Sequence, residues 1–173
     1  MKQGEEGFTL IEIVMVIAII ALIVSAAMMA TFQVVRGTER SNDHMTAVNQ
    51  VQNAGYWISR DTQMAKIVAA ADLTPPDFLI LSWDERDEEE SVDQYKVIYM
   101  LEAMPGSELK KLQRHLSINE GPDTATFVAQ YIEPDKTSCN FTDNKLTLTV
   151  TAAGGSGSPK SETRVYEVTP RQN

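Results

Sequence analysis

The feature that most constrains this chain is an uncharged stretch of 23 residues from Ile13 to Val35. Its first half, from Ile13 to Val24, is apolar throughout. As an α-helix, the whole stretch reaches about 34 Å at about 1.5 Å per residue. The hydrocarbon core of a bilayer is roughly 30 Å thick. The stretch is therefore long enough to cross a membrane as a single helix.

Three kinds of N-terminal segment contain such a stretch. A secretory signal is cut after it, and Ser25-Ala26-Ala27 resembles the small residues of such a cleavage site. A signal anchor is not cut at all. In the third kind, the cut falls before the apolar stretch, which then stays on the mature protein.

Glu12 helps to separate these interpretations, because it lies at the start of the apolar stretch. A carboxylate costs about 2.5 to 3.5 kcal/mol at the bilayer centre on insertion scales, and less near the interface. A cut after Gly7 creates a new α-amine on Phe8, about one helical turn from Glu12. Opposite charges about 4 Å apart attract by about 4 kcal/mol at an effective dielectric constant of 20. Such a cut therefore supplies the carboxylate with a partner, within one chain or between neighbouring subunits.

The residues Gly7-Phe8-Thr9-Leu10-Ile11-Glu12 and the apolar stretch after them resemble the prepilin motif of type IV pilins and type II secretion pseudopilins. The resemblance implies that a prepilin peptidase cuts between Gly7 and Phe8. It also implies that Phe8 is then N-methylated and that Glu12 serves filament assembly.

The same resemblance implies a non-enzymatic structural subunit, held in the inner (cytoplasmic) membrane by one helix with its C-terminal domain outside the cytoplasm. The subunit would then assemble into a type IV pilus or a pseudopilus that serves secretion, adhesion, DNA uptake or motility. The implied partners are other pilin or pseudopilin subunits, the prepilin peptidase and the inner-membrane assembly platform. The alternative is an extracytoplasmic sensory or binding domain on an uncleaved anchor.

The first helix is predicted to continue beyond the apolar stretch, because no proline occurs before Pro75. We predict one helix from about Phe8 to Ala71. At a period of 3.6 residues, an apolar stripe forms on one side; it contains Ala47, Val51, Ala54, Ile58, Ala65 and Ala69. Polar residues fall on the opposite side: Asn49, Asn53, Tyr56, Arg60 and Gln63. Gly55 borders the apolar stripe, which predicts close backbone packing there, and Gly37 is a candidate bend.

Asp61 lies at the edge of the apolar stripe. The segment from Ala54 to Ala65 resembles the Arg-Asp-containing helix end of W-type minor pilins and J-type minor pseudopilins. We predict for Asp61 either a structural contact, as a cap or a hydrogen bond to a neighbouring loop, or a contact with a partner subunit.

Beyond Pro75-Pro76, short alternating segments predict an antiparallel sheet with hairpin connections. The predicted strands are 78–83, 95–101, 108–116, 127–132, 145–150 and 163–168, of which 108–116 is also compatible with a helix. A charged hairpin loop is predicted at 84–90, a turn at Asn140-Phe141-Thr142, which matches a glycosylation sequon, and a flexible tip at 152–159.

The sequence thus predicts an α+β, pilin-like fold in which a long N-terminal helix packs on a C-terminal antiparallel β-sheet. Its segments are a leader (1–7), a membrane-spanning or filament-core half of the helix (8–35), an amphipathic outer half (36–72) and a β domain (73–173).

Composition narrows the function classes. The net charge of −9 argues against nucleic acid as a direct partner, because phosphates are held by clustered Lys and Arg. The single cysteine, Cys139, cannot form an intrachain disulfide and is predicted to be half-buried. His44 and His115 lie far apart and are predicted to be solvated. The chain shows no triad spacing, phosphate loop or metal motif, so no catalytic residue, metal or cofactor is predicted.

Overall fold

The computed structural model describes residues 9–71, 73–86, 91–155 and 160–171. The chain divides into two compact units, Met1–Ser41 and Asn42–Asn173. Helix α1 (Leu10–Met64) contributes residues to both units, and the β-strands belong to the second unit. The α+β prediction, with one long N-terminal helix and an antiparallel sheet, is confirmed.

In the first unit, the part of α1 from Ile13 to Val35 carries no charge and is apolar on every side. Every large apolar side chain from Leu10 to Val35 is at least 45% exposed. This part of the helix is long and apolar enough to cross a membrane, with a mean hydropathy of 2.9 over its most apolar window. Because exposed apolar surface is unfavourable in water, this surface requires lipid or other protein around it.

The second unit contains one sheet in which all neighbouring strands are antiparallel. Its strands are β1 (Ile67–Ala69), β2 (Asp77–Arg86), β3 (Val92–Ala103), β4 (Lys110–Ile118), β5 (Thr124–Ile132), β6 (Ser138–Thr142), β7 (Lys145–Ala153) and β8 (Ser161–Val168). Strands β1 to β5 form a meander, and β7 lies between β6 and β8. The meander joins β7 at a single paired position, Ile132 with Ala152. A short 3₁₀ helix (Pro134–Lys136) connects β5 to β6.

The core lies between the outer half of α1 and the sheet. The predicted apolar stripe is buried at five of its six positions, each at most 1% exposed: Ala47, Val51, Ala54, Ile58 and Ala65. The opposite side of the helix is exposed, also as predicted. The inward side chains of the sheet pack against this stripe. They include Leu79, Leu81, Val97, Leu112, Leu146, Leu148 and Val150.

The helix ends at Met64 and not at Ala71, so the predicted C-terminal limit is wrong. The N–H of Lys66 donates to the carbonyl of Ser82 at 2.9 Å, which turns the chain toward β2. Residues 67–69 then pair with β2 as strand β1. Two of these residues are β-branched, which favours an extended backbone. Helix α1 itself runs through Gly37 without a break.

Most of the predicted strands are confirmed, with longer bounds. The ambiguous segment 108–116 overlaps strand β4, which begins at Lys110, ends at Ile118 and pairs with β3 along its whole length. The predicted loop at 84–90 is partly wrong, because β2 continues to Arg86; residues 87–90 lie outside the described residues. The predicted tip at 152–159 is also partly wrong, since Ala152 and Ala153 belong to β7; residues 156–159 lie outside the described residues.

The turn predicted at Asn140–Thr142 is wrong, because these residues form part of strand β6. The actual turn is Asp143-Asn144, whose φ angles are 52° and 58°. Asn and Asp tolerate this left-handed conformation, and two such residues in succession suit a tight hairpin. The turn therefore connects β6 directly to β7.

Gly55 confirms the predicted close packing, because the ring of Tyr166 occupies the space that a Cβ atom would take. The Tyr166 hydroxyl also donates to the carbonyl of Val51 at 3.0 Å. We expect Gly55→Ala to lower the free energy of unfolding by about 1 to 3 kcal/mol, because the methyl group would overlap the ring. Denaturant unfolding of the full chain in detergent micelles measures the effect.

Gly37→Ala is the matched control, because the added methyl group meets no atom within 4 Å. It is expected to leave stability unchanged or to raise it by up to about 1 kcal/mol, since alanine favours the helix. Similar effects of the two substitutions would contradict close packing at Gly55.

Candidate functional site

The predicted cleavage residues, Gly7 and Phe8, lie outside the described residues. Glu12 lies in the first turn of α1. Its N–H donates to the carbonyl of Thr9 at 3.1 Å and to the Thr9 Oγ1 at 3.4 Å. Thr9 therefore occupies the position of a helix N-cap. The sequence signal for this cap is Thr-x-x-Glu, a capping-box pattern that the sequence analysis missed.

The carboxylate of Glu12 is exposed at the start of the apolar helix. A negative charge is favourable in the first turn, because the unpaired N–H groups of the helix carry partial positive charge. Among the described residues, no cation forms an ion pair with Glu12. The partner predicted for it, the α-amine of Phe8, is outside the described residues.

The second predicted residue, Asp61, lies near the end of α1 and is fully buried. Its Oδ2 accepts a hydrogen bond from the Tyr99 hydroxyl at 2.7 Å. The same oxygen accepts from Arg114 Nε at 2.6 Å, and Oδ1 accepts from Arg114 Nη2 at 3.3 Å. Asp61 thereby connects the helix to the neighbouring strands β3 and β4. Its hydrogen-bond partners lie on these strands and not on the neighbouring loop that was predicted.

The protonation states of Tyr99 and Arg114 are fixed by burial and by the neighbouring charge of Asp61. Burial, together with the neighbouring Asp61 carboxylate, raises the pKa of Tyr99 far above its usual value, so its hydroxyl stays a donor. Burial lowers the pKa of Arg114, but the hydrogen bonds and charge of Asp61 outweigh this effect, and the net pKa is raised. A permanently charged guanidinium thus holds a buried carboxylate by two hydrogen bonds.

The cluster continues to the surface through Trp57. The guanidinium of Arg114 lies 5.4 Å from the centroid of the Trp57 ring. The guanidinium of Arg60 lies 5.5 Å from the same centroid. Tyr56 meets the ring edge-on, with centroids 6.0 Å apart. These distances are within the range of cation–π and aromatic contacts, so the buried ion pair also positions the half-buried Trp57.

Tyr99 and Arg114 were not identified from the sequence. Arg114 did leave a signal, because it alternates with Leu112 and Leu116 and therefore points to the core side of β4. A cation at an inward strand position requires a buried anion. Asp61 borders the apolar stripe of the helix and is the matching carboxylate.

The other residues discussed in the sequence analysis, Cys139, His44 and His115, do not form a reactive site among the described residues. Cys139 is half-buried in β6, as predicted, and burial raises the pKa of its thiol to about 12, so it is a poor nucleophile near neutral pH. His44 is exposed as predicted. The prediction for His115 is wrong, because its side chain is only 18% exposed on a central strand. Among the described residues, no group of three or more His, Cys, Asp or Glu is placed to hold a metal ion.

The N-terminal segment matches a known family model, the prokaryotic N-terminal methylation motif, over residues 2–28. This match supports the type IV pilin and pseudopilin family, whose members are structural subunits that assemble with other subunits after processing by prepilin peptidase. The motif and the apolar helix fit a protein anchored in the inner membrane. Neither the curated proteins nor the solved structures gave a significant match.

Proposed function

We propose that this chain is a filament subunit of a type IV pilus or a type II secretion pseudopilus. It is cleaved between Gly7 and Phe8, N-methylated on Phe8 and stored in the inner membrane by α1, with its β domain outside the cytoplasm. The observation that carries the proposal is the match of residues 2–28 to the methylation motif, immediately before and within an exposed apolar helix.

The apolar surface of α1 supports both states that such a subunit must occupy. Between Ile13 and Val35 the helix is apolar on all sides, so it fits equally well among lipid chains or among other apolar helices. Lipid tails are about as apolar as leucine, so exchanging lipid for packed helices changes little hydrophobic free energy. Transfer from membrane to filament then depends on packing and on polar groups such as Glu12.

A minor subunit is the form we favour. The chain has one cysteine and therefore lacks the intrachain disulfide of some major pilins. The segment from Ala54 to Ala65 also resembles the helix end of the W-type minor pilins and J-type minor pseudopilins. The subunit would contact other pilins, the prepilin peptidase and the inner-membrane assembly platform, in a system for secretion, adhesion, DNA uptake or motility.

Mass spectrometry of the chain isolated from membranes tests this function. We expect a mature N-terminus that begins at Phe8 and carries one N-methyl group. The control is the same chain from cells without prepilin peptidase, which should retain its leader. An N-terminus that still contains Lys2 in cells with an active peptidase would contradict the proposal and support the uncleaved anchored domain.

A further inference from the structure

The outward face of the meander, which is turned away from α1 and the core, contains a pocket of about 260 Å³. Its floor is formed by the neighbouring strands β2, β3 and β4, and one wall is formed by Lys66 and Ile67 at the start of β1. We call it the Lys96 pocket, after the lysine on its middle strand. Pockets for drug-sized ligands measure roughly 300 to 1,000 Å³, so this pocket suits a ligand the size of a single sugar ring.

The floor of the pocket presents hydrogen-bond donors from three strands in one row. Ser82 on β2 pairs with Lys96 on β3, and Lys96 pairs with Ser117 on β4. Successive side chains of a strand point to opposite faces, and the adjacent Leu81 and Val97 are buried in the core, so this row lies on the outward face. Directly paired residues have Cβ atoms about 4.5 to 5.5 Å apart. One ammonium group and two hydroxyl groups can therefore converge on a single bound group.

Lys96 has no carboxylate partner, although carboxylates are in excess around it. Residues 42–173 include 20 acidic and 12 basic residues. The other lysine of the pocket, Lys66, is paired with Asp84 at 3.3 Å. Among the described residues, Lys96 takes part in no ion pair. Its ammonium group is therefore available to an anionic group of a ligand.

The rim of the pocket adds hydrogen-bond acceptors and a small apolar surface. Asp84 pairs with Gln94 on one side, and Glu120 lies on the other, just beyond β4. The N–H of Asn119 donates to the carbonyl of Gln94 at 2.8 Å, and the N–H of Gln94 donates to Asn119 Oδ1 at 2.8 Å. The turn that contains Glu120 is thereby fixed to β3 before a ligand binds, which lowers the entropy cost of binding. Ile67, which is 66% exposed, supplies the apolar surface.

We propose that the Lys96 pocket binds an acidic sugar, a six-membered ring that has hydroxyl groups and one carboxylate. The carboxylate accepts charge-assisted hydrogen bonds from Lys96 and further hydrogen bonds from the hydroxyls of Ser82 and Ser117. The ring hydroxyls donate to the acceptors of the rim, and the C–H groups of the ring pack on Ile67. This inference goes beyond the proposed function and does not depend on it.

Simpler ligands match only part of the pocket. A bare anion such as phosphate would face the carboxylates of Asp84 and Glu120, and like charges repel each other. A neutral sugar would donate to these carboxylates but would leave Lys96 without an anion. A ring that has both hydroxyl groups and a carboxylate meets both requirements.

Titration of the full chain in detergent micelles, followed by the backbone amide NMR signals of Lys96 and Ser117, tests the inference. The probes are D-glucuronate, D-glucose, which has the same ring without the carboxylate, and acetate, which has the carboxylate without the ring. We expect D-glucuronate to bind at least about tenfold more tightly than either comparison, because only D-glucuronate combines the charge-assisted hydrogen bonds with those of the ring.

Methyl glucuronide distinguishes two sources of the same sugar, because its anomeric oxygen is blocked as it is within a polysaccharide. An affinity equal to that of D-glucuronate assigns the pocket to an acidic sugar residue of a polysaccharide. A weaker affinity assigns it to the free sugar acid.

Single substitutions then identify the group that holds the carboxylate. Lys96→Gln should lower the affinity for D-glucuronate by at least about tenfold, because it removes the cation, and should leave the weak binding of D-glucose unchanged. Lys110→Gln is the matched control, because Lys110 lies on β4 outside the pocket. It should leave both affinities unchanged.

Three results would overturn the inference. The first is an affinity for D-glucose or for acetate equal to that for D-glucuronate. The second is the absence of any change in the amide signals at high D-glucuronate concentration. The third is a loss of affinity with Lys110→Gln as large as with Lys96→Gln. All three leave the proposed function standing, because that function depends on cleavage after Gly7 and on assembly.

Discussion

The substitution Asp61→Asn is expected to lower the free energy of unfolding by about 3 to 5 kcal/mol, because it leaves the buried Arg114 without its counter-charge. The guanidinium side chain is only 10% exposed, so water cannot replace the carboxylate. Asparagine also places an NH₂ group where Asp61 accepts from Arg114 or Tyr99. Denaturant unfolding in detergent micelles, followed by the fluorescence of the two tryptophans, Trp57 and Trp83, measures the loss.

A surface ion pair supplies the control. Lys66 and Asp84 are 3.3 Å apart, with side chains 37% and 45% exposed. Asp84→Asn removes this pair in the same chain, and its cost should stay below about 1 kcal/mol, as for other exposed pairs.

A double substitution separates the lost ion pair from general damage to the core. Asp61→Leu combined with Arg114→Met should be more stable than Asp61→Asn, because no unpaired buried charge remains. A cost below about 1 kcal/mol for Asp61→Asn would show that the pair does not hold the strands to the helix.

Replacing Glu12 with glutamine is expected to reduce incorporation into filaments by at least about tenfold. An attraction of about 4 kcal/mol between the carboxylate and a nearby α-amine corresponds to roughly a thousandfold in an equilibrium constant. Removing the charge also removes its insertion cost, so the amount of protein in the membrane should stay the same or rise. The measurement is the ratio of subunit in sheared filaments to subunit in the membrane.

Glu39→Gln provides the comparison, because Glu39 is an exposed glutamate of the same helix that lies beyond the apolar stretch. It should leave incorporation unchanged. Glu12→Asp keeps the charge on a shorter side chain and should retain more incorporation than Glu12→Gln. Normal incorporation of Glu12→Gln would rule out the electrostatic account, even if the chain is still cleaved after Gly7.

The parts of the fold that depend on local pattern could be predicted from the sequence. The apolar stretch from Ile13 to Val35 and the buried stripe of α1 follow from composition and a period of 3.6 residues. The end of the helix could not be predicted in this way, because residues 67–69 gain hydrogen bonds to β2 that no local pattern reveals. Strand β6 was missed for a similar reason, because it is held by hydrogen bonds to β7 that no local pattern reveals.

Only part of the candidate site could be predicted, again because its contacts join residues that are distant in sequence. Asp61 could be identified from its place beside the apolar stripe. Its partners are distant in sequence, since Tyr99 lies 38 residues away and Arg114 lies 53 residues away. Pairing them requires the register of β3 against β4, which no local sequence pattern reveals. The sequence indicates that a buried anion and a buried cation exist, and only the fold shows that they meet.

The narrow junction between Ile132 and Ala152 has a mechanical consequence. The meander is attached to α1 through Asp61 and its partners on β3 and β4. The ribbon of β6 to β8 is attached separately, through Tyr166 and the carbonyl of Val51. Tension applied along this part of the helix therefore reaches each half of the sheet through that half's own contacts with α1, and it does not have to pass through the single pair Ile132–Ala152.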